Sequence, residues 1–402
     1  MRAPSLALLS RDDCPLSLHA VVMLSRGKIQ ESGDGEAADS ALRKLALLDT
    51  TAIPLDLLSS AERKAVQVLK QHALVTVDDL GAIHSLTQLA VRGQADKGDR
   101  RGIAAAVARG LKERLAKFDH QKPSTFFIGR RYASHARAAA ANAAAWGFIP
   151  GLAALESPGA AHRGVGQAVG GGEARGGRSL LGVVHGMCMS AGTFFQTVGG
   201  QYQQALGMHE FALVCALALE GHDSPDVASS RNGIGNVLGR MEKHEEALVE
   251  YQQALRVFLA IHGQEHVSVA ASFNNVGNSY NTLGQREKAL EYYQKSLDIH
   301  TRVVGSDHLL VAASFNNLGN AYMSKGDLEN TLVSKGDLEK RTYSASKGPR
   351  DPNTCVDPLL AASHPLVADS LNNIGIVYGK KGDRAANTEM ATKAYHIFLK
   401  RC

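Results

Sequence analysis

Asparagine recurs in this chain at positions where its chemistry could be used. Asn232, Asn236, Asn274, Asn278, Asn281, Asn316, Asn320 and Asn372 fall in segments of helical periodicity, where asparagine is a poor choice. Each costs a few tenths of a kcal/mol relative to alanine, so eight cost roughly 3–5 kcal/mol, and a compensating role is expected. A carboxamide both donates and accepts hydrogen bonds. A row of them can therefore grip the backbone of an extended peptide whatever its side chains. The competing reading is scaffolding, in which the amides bond neighbouring helices. A second column, Asn275, Asn317 and Asn373, lies nearer the junction between copies, and there the structural role is preferred.

Other candidate chemistry is weaker. His262-Gly-Gln-Glu265-His266 matches the His-x-x-Glu-His pattern of a zinc peptidase helix. However, His266 recurs as His308 and His364 in equivalent loops, Glu265 aligns with Asp307, and Val304 replaces His262. The segment also spans a helix break, whereas a zinc site needs both histidines on one helical face. These histidines read as loop-fixing residues. Cys14, Cys188, Cys215, Cys355 and Cys402 are scattered without a Cys-x-x-Cys pair, which predicts reduced thiols rather than a disulfide or zinc framework. No Gly-x-x-x-x-Gly-Lys-Ser/Thr loop is present, and Gly164, Gly166 and Gly170 miss the dinucleotide spacing. The expectation is no catalytic residue, no metal and no cofactor.

The asparagines sit in a repeat. Asn274-Asn275-Val276-Gly277 returns as Asn316-Asn317-Leu318-Gly319 and precedes itself as Asn232-Gly233-Ile234-Gly235. Gly235, Gly277 and Gly319 are 42 residues apart, and Gly375 follows after 56. A fixed period in this range signals stacked supersecondary units. Phe273, Val276 and Tyr280 predict the buried stripe of a first helix, and Gly277 a close approach of backbones. Gly284 ends that helix. Ala289, Leu290, Tyr293, Ser296 and Leu297 predict the packed face of a second one. Ala205 and Ala212 align with Ala247 and Ala254, so the array begins near residue 181, with a degenerate helix over Val183–Val198 as its cap. Ser324–Glu329 is duplicated at Ser334–Glu339, which makes the third repeat irregular.

Phe273, Val276-Gly277, Tyr280, Gly284, Ala289, Tyr293 and Ser296 resemble the tetratricopeptide (TPR) motif. The period of 42 and the Gly-x-Asp/Glu-His loop resemble the kinesin light chain or nephrocystin-3 variety. The resemblance implies an α-solenoid that binds proteins, with the Asn274-type column lining the concave groove, as it does in kinesin light chains.

Upstream, Leu42, Leu45 and Leu48 suggest one helix, Leu55–Leu58 a short one, and Ala65, Val68 and Leu69 a third. Leu74–Val77, the turn Asp78–Gly81 and Ala82–His84 read as a β-hairpin. Together with Ile53-Pro54, Leu57-Leu58, Leu86 and Gln88, this resembles the winged helix of NB-ARC-type STAND ATPases. The likeness would set His84 against a nucleotide β-phosphate, but without a phosphate loop a structural histidine is expected. Tyr132-Ala133-Ser134-His135-Ala136 resembles the connector of the same proteins. Lys97–Arg137 holds 11 Lys/Arg against Asp99, Glu113 and Asp119. Asp78 and Asp79 on the wing argue against nucleic acid.

The resulting organisation is mainly α. A loose segment over 1–40 is followed by a winged-helix-like domain at 41–95, a helical connector at 96–146 and a Gly/Ala-rich linker at 147–180. The TPR array over 181–402 has an irregular insertion about 333–360. Net charge is +7 over residues 1–180 and −2 over 181–402. No apolar run approaches a membrane span, and a cytoplasmic protein is expected. The favoured function is a non-enzymatic scaffold for protein or peptide partners, with self-association through the array end as a further expectation. The alternatives are a C-terminal fragment of a STAND-type NTPase and a kinesin light chain-like cargo adaptor.

Overall fold

The computed structural model describes residues 25–30, 33–50, 52–72, 74–75, 83, 85–94, 97–120, 122–149, 175–305 and 308–325. The chain divides into two compact units, residues 1–237 and 238–402. Every regular element among the described residues is helical.

The first unit contains α1 (Gly35–Leu45), α2 (Ser60–Gln71), α3 (Ser85–Gln94), α4 (Lys97–Leu115), α5 (Phe126–Ala145), α6 (Arg175–Thr197) and α7 (Tyr202–Glu220). Helix α8 (Pro225–Arg240) carries the boundary between the units. Ser59 and Glu62 start α2 with a capping box, each side chain accepting from the other's backbone N–H. Lys44 of α1 also reaches Glu62 at 2.7 Å. Although burial acts the other way, the Lys44 and Ser40 hydrogen bonds draw the Glu62 carboxyl down to about 2.

A second knot forms at Asp56, in a short 3₁₀ turn. Its carboxylate accepts from Arg114 of α4 at 3.0 Å and from the Tyr132 hydroxyl of α5, and it pairs with Arg131 at 3.5 Å. These bonds outweigh burial and keep Asp56 below its ordinary value. Gln88, 3% exposed, donates to the carbonyls of Leu45 and Leu48. It thereby serves orphan carbonyls at the end of α1. His135 accepts from Asp49 N–H through Nδ1 and meets Ala52 O through Nε2, which fixes its tautomer as neutral Nε2–H. Both motif residues suggested by sequence are thus fasteners of the loop after α1.

Two expectations change here, and a third falls largely outside the described residues. The stretch 1–40 is not loose throughout, because residues 25–30 and α1 are helical. Ile29 is 1% exposed, and Arg26 pairs with Asp39 at 2.5 Å. Ion pairing at Asp39 holds a segment whose few apolar residues show no period. The stretch 147–180 is not linker to its end, since α6 starts at Arg175 despite its glycines. The hairpin over 74–84 and the role of His84 lie largely outside the described residues. Leu74, Val75 and Ile83 are described and buried, but none is strand.

The second unit contains α9 (His244–His262), α10 (Val267–Thr282), α11 (Arg286–Val304) and α12 (Leu309–Lys325). Each helix packs on the next. Loops this short make consecutive helices antiparallel. Ala289, Tyr293, Leu297, Val311, Leu318 and Ala321 form its core between α11 and α12. The buried stripe of α10 is Val269, Ser272, Val276 and Ser279, spaced 3-4-3. Phe273 and Tyr280 are half-buried instead. They cluster with Tyr292 at 5.9 and 5.3 Å, beneath Lys288 and Lys295. What approaches Gly277 is a ring rather than a backbone, since a Cβ there would lie 2.8 Å from Tyr293.

Candidate functional site

The period of 42 is written into the helix ends. Ser224, His266 and His308 precede α8, α10 and α12 in one register. Ser224 Oγ accepts from Val227 N–H, while His266 and His308 Nδ1 accept from Ser268 and Leu310 N–H at 3.1 Å. The loop histidines are therefore N-caps, doing with an imidazole what Ser224 does with a hydroxyl. His364 lies outside the described residues. His262 ends α9 whereas His266 caps α10, and their rings stack at 3.9 Å. The two histidines of the peptidase-like pattern thus sit on different elements, and no group of three or more metal-ligating side chains occurs among the described residues.

At the other helix ends, Gly221, Gly263 and Gly305 follow α7, α9 and α11 with φ of 80°, 71° and 86°. Only glycine adopts this conformation without strain. A further column escaped the sequence reading. Ser230, Ser272 and Ser314, at most 1% exposed, each donate to the carbonyl four residues back. His185 contacts Ser230 at 3.2 Å and His300 contacts Ser314 at 2.9 Å, so the small hydroxyls admit a neighbouring helix. Their spacing of 42 was the available signal.

The asparagines separate into two classes. Asn236, Asn278 and Asn320 share one register on α8, α10 and α12; the first two are exposed and Asn320 is half-exposed. Asn278 Oδ1 accepts from the Tyr293 hydroxyl at 2.7 Å, which orients the amide while its NH₂ keeps donating capacity. Asn232, Asn274 and Asn316 form the other register; the first two are half-buried, and Asn316 is 7% exposed. Asn317 donates to Asn274 Oδ1 at 2.7 Å, joining α12 to α10. An amide of the candidate column thus bonds one of the junction column. Asn281 and Asn232 each bury an Oδ1 with no hydrogen-bond partner. Asn372 lies outside the described residues.

Cys188 and Cys215 are free and fully buried, and burial pushes the Cys215 thiol up to about 12 and Cys188 well above its ordinary value. Cys14, Cys355 and Cys402 lie outside the described residues.

Helix pairs with caps, glycine stops and packing columns in a period of 42 are the features that a repeat family requires. The tetratricopeptide repeat model matches residues 194–260 and 268–330. These two segments are tetratricopeptide repeats. The TPR helices run as consecutive pairs, the mainly α arrangement of an α-solenoid.

Among solved structures, BtubC (BKLC) from P. vanneervenii is 22% identical. The match covers 55% of this chain and 82% of that one, with a TM-score of 0.46. The nearly identical TPR-like repeats of Podosopora anserina, described as kinesin light chain, are 19% identical over 53% of this chain and 94% of theirs, with a TM-score of 0.43. A STAND protein with a tetratricopeptide repeat sensor from Pyrococcus horikoshii is 12% identical, with a TM-score of 0.37. It is matched over 94% of this chain but 64% of its own length. No curated protein matches this chain. Among the described residues no helix is long and apolar enough to cross a membrane.

Proposed function

We propose that this chain is a non-enzymatic scaffold that binds peptide segments of partner proteins along the first helices of its TPR pairs. The observation that carries the reading is the register Asn236, Asn278 and Asn320, which recurs every 42 residues on the less buried side of those helices. Amides displayed at one level per repeat suit the repeating backbone of an extended segment, and they bind it without demanding a sequence. Asn274 of the other register supports this surface by tying one first helix to another through its hydrogen bond from Asn317. Asn281 adds an acceptor that a partner N–H or a water can satisfy after a small local shift.

The residues before the repeats, 41–95 and 96–146, are assigned here to a winged-helix-like module and a helical connector that act as a spacer. A cytoplasmic location suits such a scaffold and the free thiols of Cys188 and Cys215.

The test compares partners captured from native lysate by the wild-type chain and by an Asn278→Ala/Asn281→Ala/Asn320→Ala variant with unchanged circular dichroism. Specific partners should be depleted at least tenfold by the variant. Identical partner lists would return these amides to scaffolding.

A further inference from the structure

The first unit holds a second candidate binding site, unrelated to the asparagines. A half-open cleft of about 420 Å³ lies between α5 and the ends of α6 and α7. Its floor is Phe194 and Phe195, and its polar rim is Arg130, Ser134 and Arg137 of α5 facing Gln201 and Gln204. The Phe194 ring lies so close to Gly129 that a Cβ there would overlap it. The glycine is thus what lets the ring sink and the cleft open.

Several arginines of this unit are taken up by carboxylates. Arg114 and Arg131 answer Asp56, and Arg26 and Arg43 answer Asp39. Arg130 and Arg137 are both exposed, and neither has an ion pair or hydrogen bond among the described residues. No described carboxylate lines the cleft. The two arginines are seven residues apart on one helix, hence about 10 Å along its axis. Two guanidinium forks above an aromatic floor make a surface for carboxylates that flank an apolar group. A half-open cleft whose arginines are spaced along one helix suits a chain lying across it rather than an enclosed small molecule.

We propose that this cleft is a docking site for an acidic peptide segment of a partner protein, in which Arg130 and Arg137 each take a carboxylate and an intervening apolar side chain rests on Phe194 and Phe195. The peptide backbone would find hydrogen bonds on Ser134, Gln201 and Gln204. This site is independent of the amide-bearing TPR face.

The experiment measures fluorescence anisotropy of a labelled peptide, Gly-Ser-Glu-Asp-Leu-Phe-Glu-Asp-Ser-Gly, titrated with the full-length chain. The same peptide with Gln and Asn for Glu and Asp serves as one control, and a labelled deca-thymidine oligonucleotide as another. The acidic peptide should bind at least tenfold more tightly than its amide counterpart. Binding should weaken at least tenfold in Arg130→Glu/Arg137→Glu, less in Arg130→Gln/Arg137→Gln, and remain unchanged in Arg256→Glu, a reversal at an exposed residue of α9. The proposal is overturned by equal binding of both peptides or by undiminished binding in the folded double variants. Equal loss in Arg256→Glu would mean attraction to net charge alone, and tighter Arg130/Arg137-dependent binding of the oligonucleotide would reassign the cleft to nucleic acid.

Discussion

His209 shows how much one residue can depart from its repeat. It stands 42 and 84 residues before Tyr251 and Tyr293, at the position where the other pairs place a tyrosine. A Cβ on Gly192 of α6 would lie 2.8 Å from its ring, and one on Gly233 of α8 2.5 Å. The ring is 2% exposed, and neither nitrogen has a hydrogen-bond partner. Burial, with a smaller contribution from His185, lowers its pKa to about 4. Because the folded value lies below the unfolded one near 6.5, the unfolded chain takes up the proton first. Stability is therefore lost as pH falls from 6.5 towards 4, by about 3 kcal/mol at pH 4 from this residue alone. Urea denaturation at pH 7 and pH 4 should show a smaller acid loss in His209→Leu, with no loss at pH 7; an unchanged pH dependence would contradict this. The repeat alignment contained this misfit, but not the two glycines that clamp it. Gly277 makes the opposite case. Its role as a contact point was legible from recurrence, while the ring that fills the contact was not. Gly277→Ala gains ~1 kcal/mol of helix propensity but drives a methyl into Tyr293, a clash typically costing about 1–3 kcal/mol. A net loss of about 1 kcal/mol should appear as a lower Tm, and an unchanged or raised Tm would refute it.

At the scale of the element, the ends of the helices are where sequence and structure agree most closely. Gly284 turns the chain after α10 with φ of 75°, and Glu242 holds the equivalent turn before α9 with φ of 63°. A glutamate in that conformation is strained by roughly 1 kcal/mol, which glycine would not be. Glu242→Gly is expected to raise stability by about 0.5–1 kcal/mol despite the looser unfolded chain. Destabilisation in urea melts would show that the turn is held by something other than its dihedral angles. The N-caps allow a complementary substitution. His266→Ser should retain the stability of the wild type, following Ser224, whereas His266→Ala should lose about 1 kcal/mol. Equal effects of the two would remove the capping role. These turns were readable because a cap or a left-handed residue constrains the local sequence. The serine column was not read, since a buried serine bonded to its own helix resembles any small residue until spacing is compared. The aromatic stripe Phe273/Val276/Tyr280 was misassigned for a related reason. Large rings match a helical period equally well when they form a half-buried cluster under lysines.

For the molecule as a whole, the repeat period decided the fold class, because helix pairs at a fixed interval have few ways to bury their faces. The first unit was harder to read. Beside a buried apolar core that includes Leu42, Leu45, Leu69 and Leu111, it is joined by Asp56, Asp39, Gln88 and His135, polar fasteners between distant segments that leave no periodic trace. The candidate surface was only partly legible. Eight asparagines could be named from the sequence; among the seven described, Asn236 and Asn278 are exposed, Asn316 is buried, and Asn274 accepts a hydrogen bond from Asn317. The central claim is that partners meet the face displaying Asn278. It is tested most directly by installing a benzophenone photocrosslinking residue at Asn278 or at Gln294, which is exposed on α11, and irradiating the full-length chain in native lysate. The account predicts partner-sized adducts from position 278 and none from 294. Adducts from 294 alone, or the same adducts from both positions, would contradict it.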